Sequence, residues 1–127
     1  MFENTKDFII RHQLFKQNNR LLLAVSGGID SMVMLDIFRK LDYKIYVAHC
    51  NFELRGKESD NDQYFVEDYC SRYDITLFVR SFNTLKYAEE NGISVQMAAR
   101  DLRYKWFEEL SSSHQLNSIL LGHNRDD

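Results

Sequence analysis

Between positions 26 and 31 the chain reads Ser26-Gly27-Gly28-Ile29-Asp30-Ser31, a run of small, hydroxyl-bearing and acidic residues. Two adjacent glycines allow the backbone to turn sharply and to bring its N–H groups close to an anion. The hydroxyls of Ser26 and Ser31 can add hydrogen bonds, and the Asp30 carboxylate can reach a Mg²⁺ ion that is bound to phosphate. This run therefore predicts a loop that binds a phosphate group.

The sequence on both sides of this loop predicts the elements that position it. Leu21–Val25 is an apolar run of strand length, and Met32–Leu41 has apolar residues at helical spacing. A helix that begins directly behind the loop adds N–H donors and the positive end of its dipole. The loop lacks the lysine and glycine spacing of a Walker A sequence and the spread glycines of a dinucleotide-binding turn. A plain strand-to-helix turn is the structural alternative.

The rest of the chain repeats the alternation of strands and helices. Units of this kind form a parallel sheet with helices on both faces, which is a three-layer, Rossmann-like α/β fold. A short helix is also predicted before the first strand, at residues 5–16. The elements predicted after the loop helix are strands at 45–50, 75–79 and 118–121 and helices at 59–73, 85–90 and 95–110.

Local signals predict where some of these helices begin, end and pack. Ser59, with Asp62 three residues later, is typical of a helix N-cap, and Asn91-Gly92 is typical of a helix end. The candidate core residues of the loop helix are Val33, Met34, Ile37, Phe38 and Leu41. Those of helix 59–73 are Tyr64, Phe65, Tyr69 and Cys70.

Polar residues follow several of the predicted strands, at the sheet edge where ligands bind in such folds. His49 ends the second strand and His123 follows the fourth, so both are expected near the loop. We expect His49 either to take part in the site or only to cap the sheet. A metal site made of these two histidines with Cys50 and Cys70 has suitable residue types, but the spacing matches no zinc pattern.

Composition limits the class of protein. The chain has 127 residues and 44% hydrophobic residues, which is enough for one domain with a core. Its net charge of −3 gives no overall basic field for a polyanion. The two cysteines lack C-x-x-C spacing and indicate reduced thiols. No apolar run approaches the length of a membrane span, so we expect a soluble, cytoplasmic protein.

Three further segments, taken together with the loop, resemble one family. Residues 48–60 read AHCNFELRGKESD, residues 92–104 read GISVQMAARDLRY, and residues 122–127 read GHNRDD. In this order the segments resemble those of the bacterial tRNA(Ile)-lysidine synthases, whose S-G-G-x-D-S loop is that of the PP-loop ATP pyrophosphatases. The resemblance runs from about residue 21 to residue 127. It departs from the family pattern at Phe52, Glu53, Gln96 and Asn124, for which no catalytic role is therefore predicted.

The resemblance implies an adenine nucleotide alpha hydrolase-like fold and an ATP-dependent ligation. In that reaction the wobble cytidine of an isoleucine tRNA with a CAU anticodon is adenylated through its O2 atom, and pyrophosphate is released. The ε-amine of L-lysine then displaces AMP to form lysidine. The implied cofactors are ATP and Mg²⁺ and the implied partners are the tRNA and lysine, without a membrane; a homodimer stays open.

Residues 1–127 are expected to be a single domain, the N-terminal PP-loop ATP pyrophosphatase domain of a longer protein. Residues 122–127 read as a motif cut in its middle, because the family continues it with an E-T pair. We therefore expect the domain to be truncated at its C-terminal end.

The resemblance also implies roles for individual residues. The nucleotide-binding set is the loop itself, with the N–H groups of Gly27 and Gly28 on the pyrophosphate. Asp30 and Asp127 are the candidates for Mg²⁺ or for the incoming amine. Arg100 and Arg103 share one helix face, and either can neutralise phosphate charge or contact RNA. We prefer Arg100 for the site. The predicted catalytic residues are Asp30, Arg100, His123 and Asp127, and the predicted nucleotide-binding residues are Ser26, Gly27, Gly28, Ile29, Asp30 and Ser31.

Two other functions share some of these features. A PP-loop tRNA thiolase would have a similar loop and a similar G-H-x-x-D-D segment, but it would be expected to carry cysteine pairs, which this sequence lacks. A nucleotide-binding module without chemistry would bind ATP and release no pyrophosphate. It would leave the combination of Arg100, His123 and Asp127 unexplained.

Overall fold

The computed structural model describes residues 19–121, and within them strands and helices alternate as the sequence predicts. The predicted helix at 5–16 and the segment 122–127 lie outside the described residues. The elements in chain order are β1 (Arg20–Ala24), α1 (Ile29–Lys40), β2 (Lys44–Asn51), α2 (Lys57–Arg72), β3 (Thr76–Ser81), α3 (Thr84–Asn91), α4 (Val95–His114) and β4 (Ser118–Leu121).

The four strands form one parallel sheet in the order β3-β2-β1-β4. Leu22 of β1 lies opposite Tyr46 of β2 on one side and Ile119 of β4 on the other. The chain adds β2 and β3 on one side of β1 and then returns to place β4 on the other side. The strand order therefore reverses between β1 and β4, which is where ligands bind in open sheets of this kind.

Apolar side chains cover both faces of the sheet, which confirms the predicted three-layer α/β fold. On one face Leu21, Leu23 and Val47 pack with residues of α1 and α2. On the other face Leu22 and Ala48 pack with residues of α4 and with Phe82. Strand side chains alternate between the two faces, so consecutive leucines of β1 contribute to different clusters. The helix residues in these clusters are Met34, Leu35, Phe38, Val66 and Cys70 on the first face and Trp106, Phe107 and Leu110 on the second.

Helices α1 and α2 are joined by polar side chains as well as by the core. The Tyr69 hydroxyl donates to Asp36 Oδ1 over 2.6 Å, and Arg39 Nε donates to the same hydroxyl over 2.7 Å. Hydrogen bonds from Lys40 and then from Tyr69 lower the pKa of Asp36 to about 2. These contacts fix α1, and with it the loop at its N-terminus, against α2.

Three local predictions for α2 are wrong. Tyr64 and Phe65 are 75% and 66% exposed rather than part of the core, because Val66 and Cys70 form the face that packs on the sheet. The helix also begins before Ser59, at Lys57. Ser59 therefore lies in the first turn, where its hydroxyl accepts the N–H of Arg55, and it caps nothing.

The end of α3 and most of the core residues of α1 agree with the predictions from the sequence. Gly92 ends α3 in the left-handed conformation, as Asn91-Gly92 predicts. In α1 the predicted residues Met34, Ile37 and Phe38 are buried, and Leu35, which was not predicted, is fully buried as well. Among residues 19–121, no helix is both long enough and apolar enough to cross a membrane.

Candidate nucleotide-binding site

The loop after β1 is organised by the buried hydroxyl of Ser31. Its oxygen accepts the N–H groups of Ser26 and Gly27 over 3.2 and 3.1 Å, and its hydrogen is donated to the Gly28 carbonyl over 3.0 Å. The N–H of Gly28 in turn donates to the Ser26 hydroxyl over 3.2 Å. The N–H groups of Gly27 and Gly28, which were predicted to contact pyrophosphate, are therefore engaged within the loop.

The N–H groups that no residue within 19–121 accepts follow directly, at the start of α1. The predicted loop residues Ile29, Asp30 and Ser31 form the first turn of the helix, three residues before the predicted start. The first helical hydrogen bond is donated by Met32 to the Gly28 carbonyl, so the preceding N–H groups have no helical acceptor. In the part of the chain that the structure describes, no side chain caps this helix, because its N-cap residue is glycine. An anion at this position would accept those N–H groups and interact favourably with the helix dipole.

The two loop glycines are required for different reasons. Gly27 has a φ of +93°, and a Cβ atom there would lie 2.7 Å from Asp62 Cβ and 2.8 Å from the Asp62 carbonyl oxygen. Gly28 has an ordinary φ of −74°, and a Cβ there would meet only the Ser26 hydroxyl at 3.5 Å. Packing within the protein therefore requires glycine at 27 but not at 28. A glycine at 28 leaves space for a ligand to approach the helix start.

A cavity of about 620 Å³ opens beside this helix start, a volume in the range of small-molecule sites. Its walls come from the carboxyl ends of β1, β2 and β4, from the loop and from one side of α4. Asp30 and Arg103 are the charged residues among those described that line it. The other lining residues are Ala24, Val25, Ser26, Gly28, Ile29, Ser31, Ala48, Cys50, Phe52, Phe107 and Leu121.

The structure separates the two candidate arginines of α4. Arg103 lines the cavity, and its guanidinium lies 5.1 Å from the centre of the Tyr104 ring. Arg100, the arginine that we preferred from the sequence, is exposed and does not line the cavity. Both residues face the same side of α4, but only Arg103, which is half-buried, lines the cavity that the loop also lines.

His49 lies beneath the site rather than in it. Its Nδ1 atom is 2.8 Å from the Val25 carbonyl, to which the protonated nitrogen donates, and its side chain is 2% exposed. Along β2 its side chain points to the same face as Val47, away from the face on which Ala48 and Cys50 line the cavity. This contact joins the end of β1 to β2, which agrees with the sheet-capping alternative.

Neither cysteine has the properties of a nucleophile. Both thiols are free, and burial raises the pKa of Cys50 to about 12, although the charge of Arg103 acts in the opposite direction. Burial raises the pKa of Cys70 to about 11. Within residues 19–121, no group of three or more histidine, cysteine or acidic side chains could hold a metal ion. His123 and Asp127, the remaining predicted site residues, lie outside the described residues.

Comparison with known proteins agrees with this architecture. A family model described as a PP-loop domain matches residues 2–127. The chain is 43% identical to a tRNA(Ile)-lysidine synthase of Bacteroides thetaiotaomicron over 94% of its own length and 28% of that protein's. It is 46% identical to a protein of the same name from Porphyromonas gingivalis over 94% of its length and 26% of the relative's. The chain thus spans little more than a quarter of these curated relatives.

A solved structure with a similar fold is an NH3-dependent NAD synthetase from Campylobacter jejuni, in complex with the nitrate ion. The TM-score is 0.70 and the sequence identity 17%, over 98% of this chain and 56% of that one. This likeness supports the fold alone. The family match over nearly the whole sequence shows that the chain belongs to the PP-loop domain family.

Proposed function

We propose that this domain binds ATP in the cavity, with the phosphates at the N-terminus of α1. The observation that carries this proposal is that the uncapped start of α1, where N–H groups lack helical acceptors, lies in the wall of the cavity. Helix α2 also begins without a side-chain cap, at Gly56, but its first turn does not line the cavity. The mostly apolar remainder of the cavity would receive the nucleoside. Three strand ends meet there, as expected for a ligand site in a parallel sheet.

We propose further that the protein at its natural length ligates lysine to the wobble cytidine of an isoleucine tRNA with a CAU anticodon. The four sequence segments in family order and the names of the relatives support this reaction. The cytidine O2 forms a bond to the α-phosphorus of ATP while the bond to pyrophosphate breaks. The lysine ε-amine then bonds to C2 of the cytidine, loses a proton, and AMP leaves.

The residues of the cavity suit the first of these steps. The N–H groups at the start of α1 would stabilise the charge on the departing pyrophosphate, and Arg103 would stabilise charge on the α-phosphate from the opposite wall. Asp30 would repel the phosphates unless a cation lay between them. A Mg²⁺ ion, which usually takes one or two carboxylates together with phosphate oxygens, fits that position and would neutralise phosphate charge. We keep Asp127 as the proposed second ligand of this Mg²⁺ ion. We keep His123 as a further proposed catalytic group.

The thiolase alternative is weaker because of the state of the cysteines. Cys50 does line the cavity, but a thiol with a pKa of about 12 contains almost no thiolate near neutral pH. Cys70 is buried in the cluster between α2 and the sheet. A free thiol in each place agrees with the cytoplasmic location that we propose for the protein.

The test is incorporation of labelled lysine into a tRNA with a CAU anticodon, in the presence of ATP and Mg²⁺, by the protein at its natural length. We expect equal amounts of AMP, pyrophosphate and lysine-bearing RNA. Incorporation of sulfur instead would favour the thiolase, and ATP binding without pyrophosphate release would favour a module without chemistry.

Two variants connect this test to the cavity. Arg103→Gln and Asp30→Asn should each reduce adenylation at least about a hundredfold, since the first removes a positive charge that faces the phosphates and the second removes a charged ligand of the proposed Mg²⁺ ion. The matched control is Arg80→Gln, an exposed arginine of β3 that does not line the cavity. Adenylation at the wild-type rate by either cavity variant would remove that residue from the site.

A further inference from the structure

Arg100 differs from most of the exposed arginines in its surroundings. Among residues 19–121 it has no carboxylate within salt-bridge distance, whereas four other arginines pair with acidic side chains. The guanidinium of Arg100 instead lies 5.6 Å from the centre of the Tyr104 ring. An exposed cation without an acidic partner is available to an external anion. The paired arginines are Arg39, Arg55, Arg72 and Arg80.

Side-chain contacts connect Arg100 to the wall of the cavity. The Tyr104 ring has two guanidinium groups near it, that of Arg103 at 5.1 Å and that of Arg100 at 5.6 Å from its centre. The same ring meets Phe107 edge-on, with ring centres 6.4 Å apart and planes at 80°. Arg103 and Phe107 both line the cavity, so Arg100 lies one step outward from the cavity wall, at its rim.

We propose that Arg100 binds a backbone phosphate of the RNA, next to the nucleotide whose base enters the cavity. This inference rests on the proposed function, and it assigns the two arginines of α4 to different substrates. A base that reaches ATP in the cavity leaves its neighbouring phosphates at the rim, where Arg100 is exposed. The ATP phosphates lie at the start of α1, across the cavity from α4. Because the net charge of the domain is −3, RNA must be bound through local cations of this kind.

Salt dependence of RNA binding tests this assignment, because each lost phosphate contact makes the negative slope of log K against log salt concentration less steep. For the protein at its natural length, Arg100→Gln should reduce the steepness of this slope by about 0.7, the value for one single-stranded phosphate. RNA affinity at low salt should fall about tenfold. Affinity for a non-hydrolysable ATP analogue should not change. Arg100→Lys retains the charge and should retain the slope.

The matched control is Arg72→Gln. Arg72 is also an exposed arginine, but it ends α2, the helix that returns from the carboxyl edge of the sheet to the opposite edge. The Arg72→Gln substitution should therefore leave the slope of log K against log salt concentration unchanged. An unchanged slope in Arg100→Gln, or a loss of ATP affinity in its place, would overturn the assignment of Arg100 while leaving the proposed function intact. Absence of RNA binding by the unsubstituted protein would overturn both.

Discussion

Helices α1 and α4 both begin towards the carboxyl edge of the sheet, but their first turns are satisfied differently. At the start of α4 the Ser94 hydroxyl accepts the N–H of Met97 over 3.1 Å. The short helix α3 has the same kind of cap, with Asn83 Oδ1 accepting the N–H of Lys86 over 3.2 Å. At the start of α1 the corresponding residue is Gly28, which has no side chain to offer.

Helix α2 also lacks a side-chain cap, at Gly56, but of these two uncapped starts only that of α1 lines the cavity, and we therefore propose it for binding. A side-chain cap contributes about 1 kcal/mol to the stability of a helix, and α1 forgoes it. The hydroxyls near α1 are used elsewhere, because Ser31 and Ser26 fix the loop instead of the helix N-terminus. A bound phosphate would take the place of the missing cap.

Gly27→Ala should have the largest effect, because it displaces the loop from α2. Its positive φ and the approach of Asp62 to 2.7 Å together predict a loss of about 3 kcal/mol in unfolding free energy. ATP affinity should be lost with it. Urea unfolding followed through Trp106, the single tryptophan, measures the stability, and calorimetric titration measures the affinity.

The control for this variant is Gly92→Ala at the end of α3. Gly92 also has a positive φ, of 61°, but its Cβ position is open, so the expected cost is about 1 kcal/mol and ATP affinity should stay as in the wild type. Equal effects of the two substitutions on ATP affinity would contradict the role of the loop.

Ser31→Ala should have the next largest effect. It removes the acceptor of two backbone N–H groups in a place that is 4% exposed, for an expected cost of about 2 kcal/mol. A looser loop should also weaken ATP binding, measured by the same titration. Ser113→Ala, an exposed serine of α4, should change neither quantity. Normal ATP affinity in Ser31→Ala would show that the loop conformation does not depend on this hydroxyl.

Gly28→Ser gives α1 the kind of cap that α4 has, and it should separate stability from binding. The new side chain has space in the protein, and the cap should leave stability unchanged or raise it by up to about 1 kcal/mol. ATP affinity should fall at least about tenfold, or 1.4 kcal/mol, because the side chain takes the place of the phosphate. Urea unfolding measures the stability of this variant, and calorimetric titration of the same preparation measures its ATP affinity. An ATP affinity that rises together with stability would contradict phosphate binding at the start of α1.

Ser94→Ala is the converse change and should have the smallest effect. Loss of the hydrogen bond to the Met97 N–H should cost about 1 kcal/mol of stability. ATP affinity should be unchanged, because this helix start does not line the cavity. Reduced ATP affinity would mean that the two helix starts do not differ as we describe.

Most of the fold and the position of the loop could be predicted from the sequence. Apolar runs and helical spacing locate the strands and helices, and Ser26–Ser31 indicates the candidate site, because these signals are local. The choice between Arg100 and Arg103 could not be made in this way. The two residues share a helix face, and their depth is set by the packing of Trp106 and Leu110 on the sheet.

The internal hydrogen bonds of the loop could not be predicted from the sequence either. A serine hydroxyl can point outward to a ligand or inward to the backbone, and nothing in the six residues shows that Ser31 points inward. The exposure of Tyr64 and Phe65 was missed for a related reason. Aromatic residues favour the core on average, but the orientation of α2 depends on its contacts with the sheet and with α1.

Backbone amide chemical shifts during titration with a non-hydrolysable ATP analogue test the central claim most directly, since they report each helix start separately. We predict that the largest shifts occur at the amides of Ile29, Asp30 and Ser31, with little change at Lys86 and Met97 in the capped turns. Shifts confined to the capped helices, with the amides of α1 unchanged at saturation, would contradict the account.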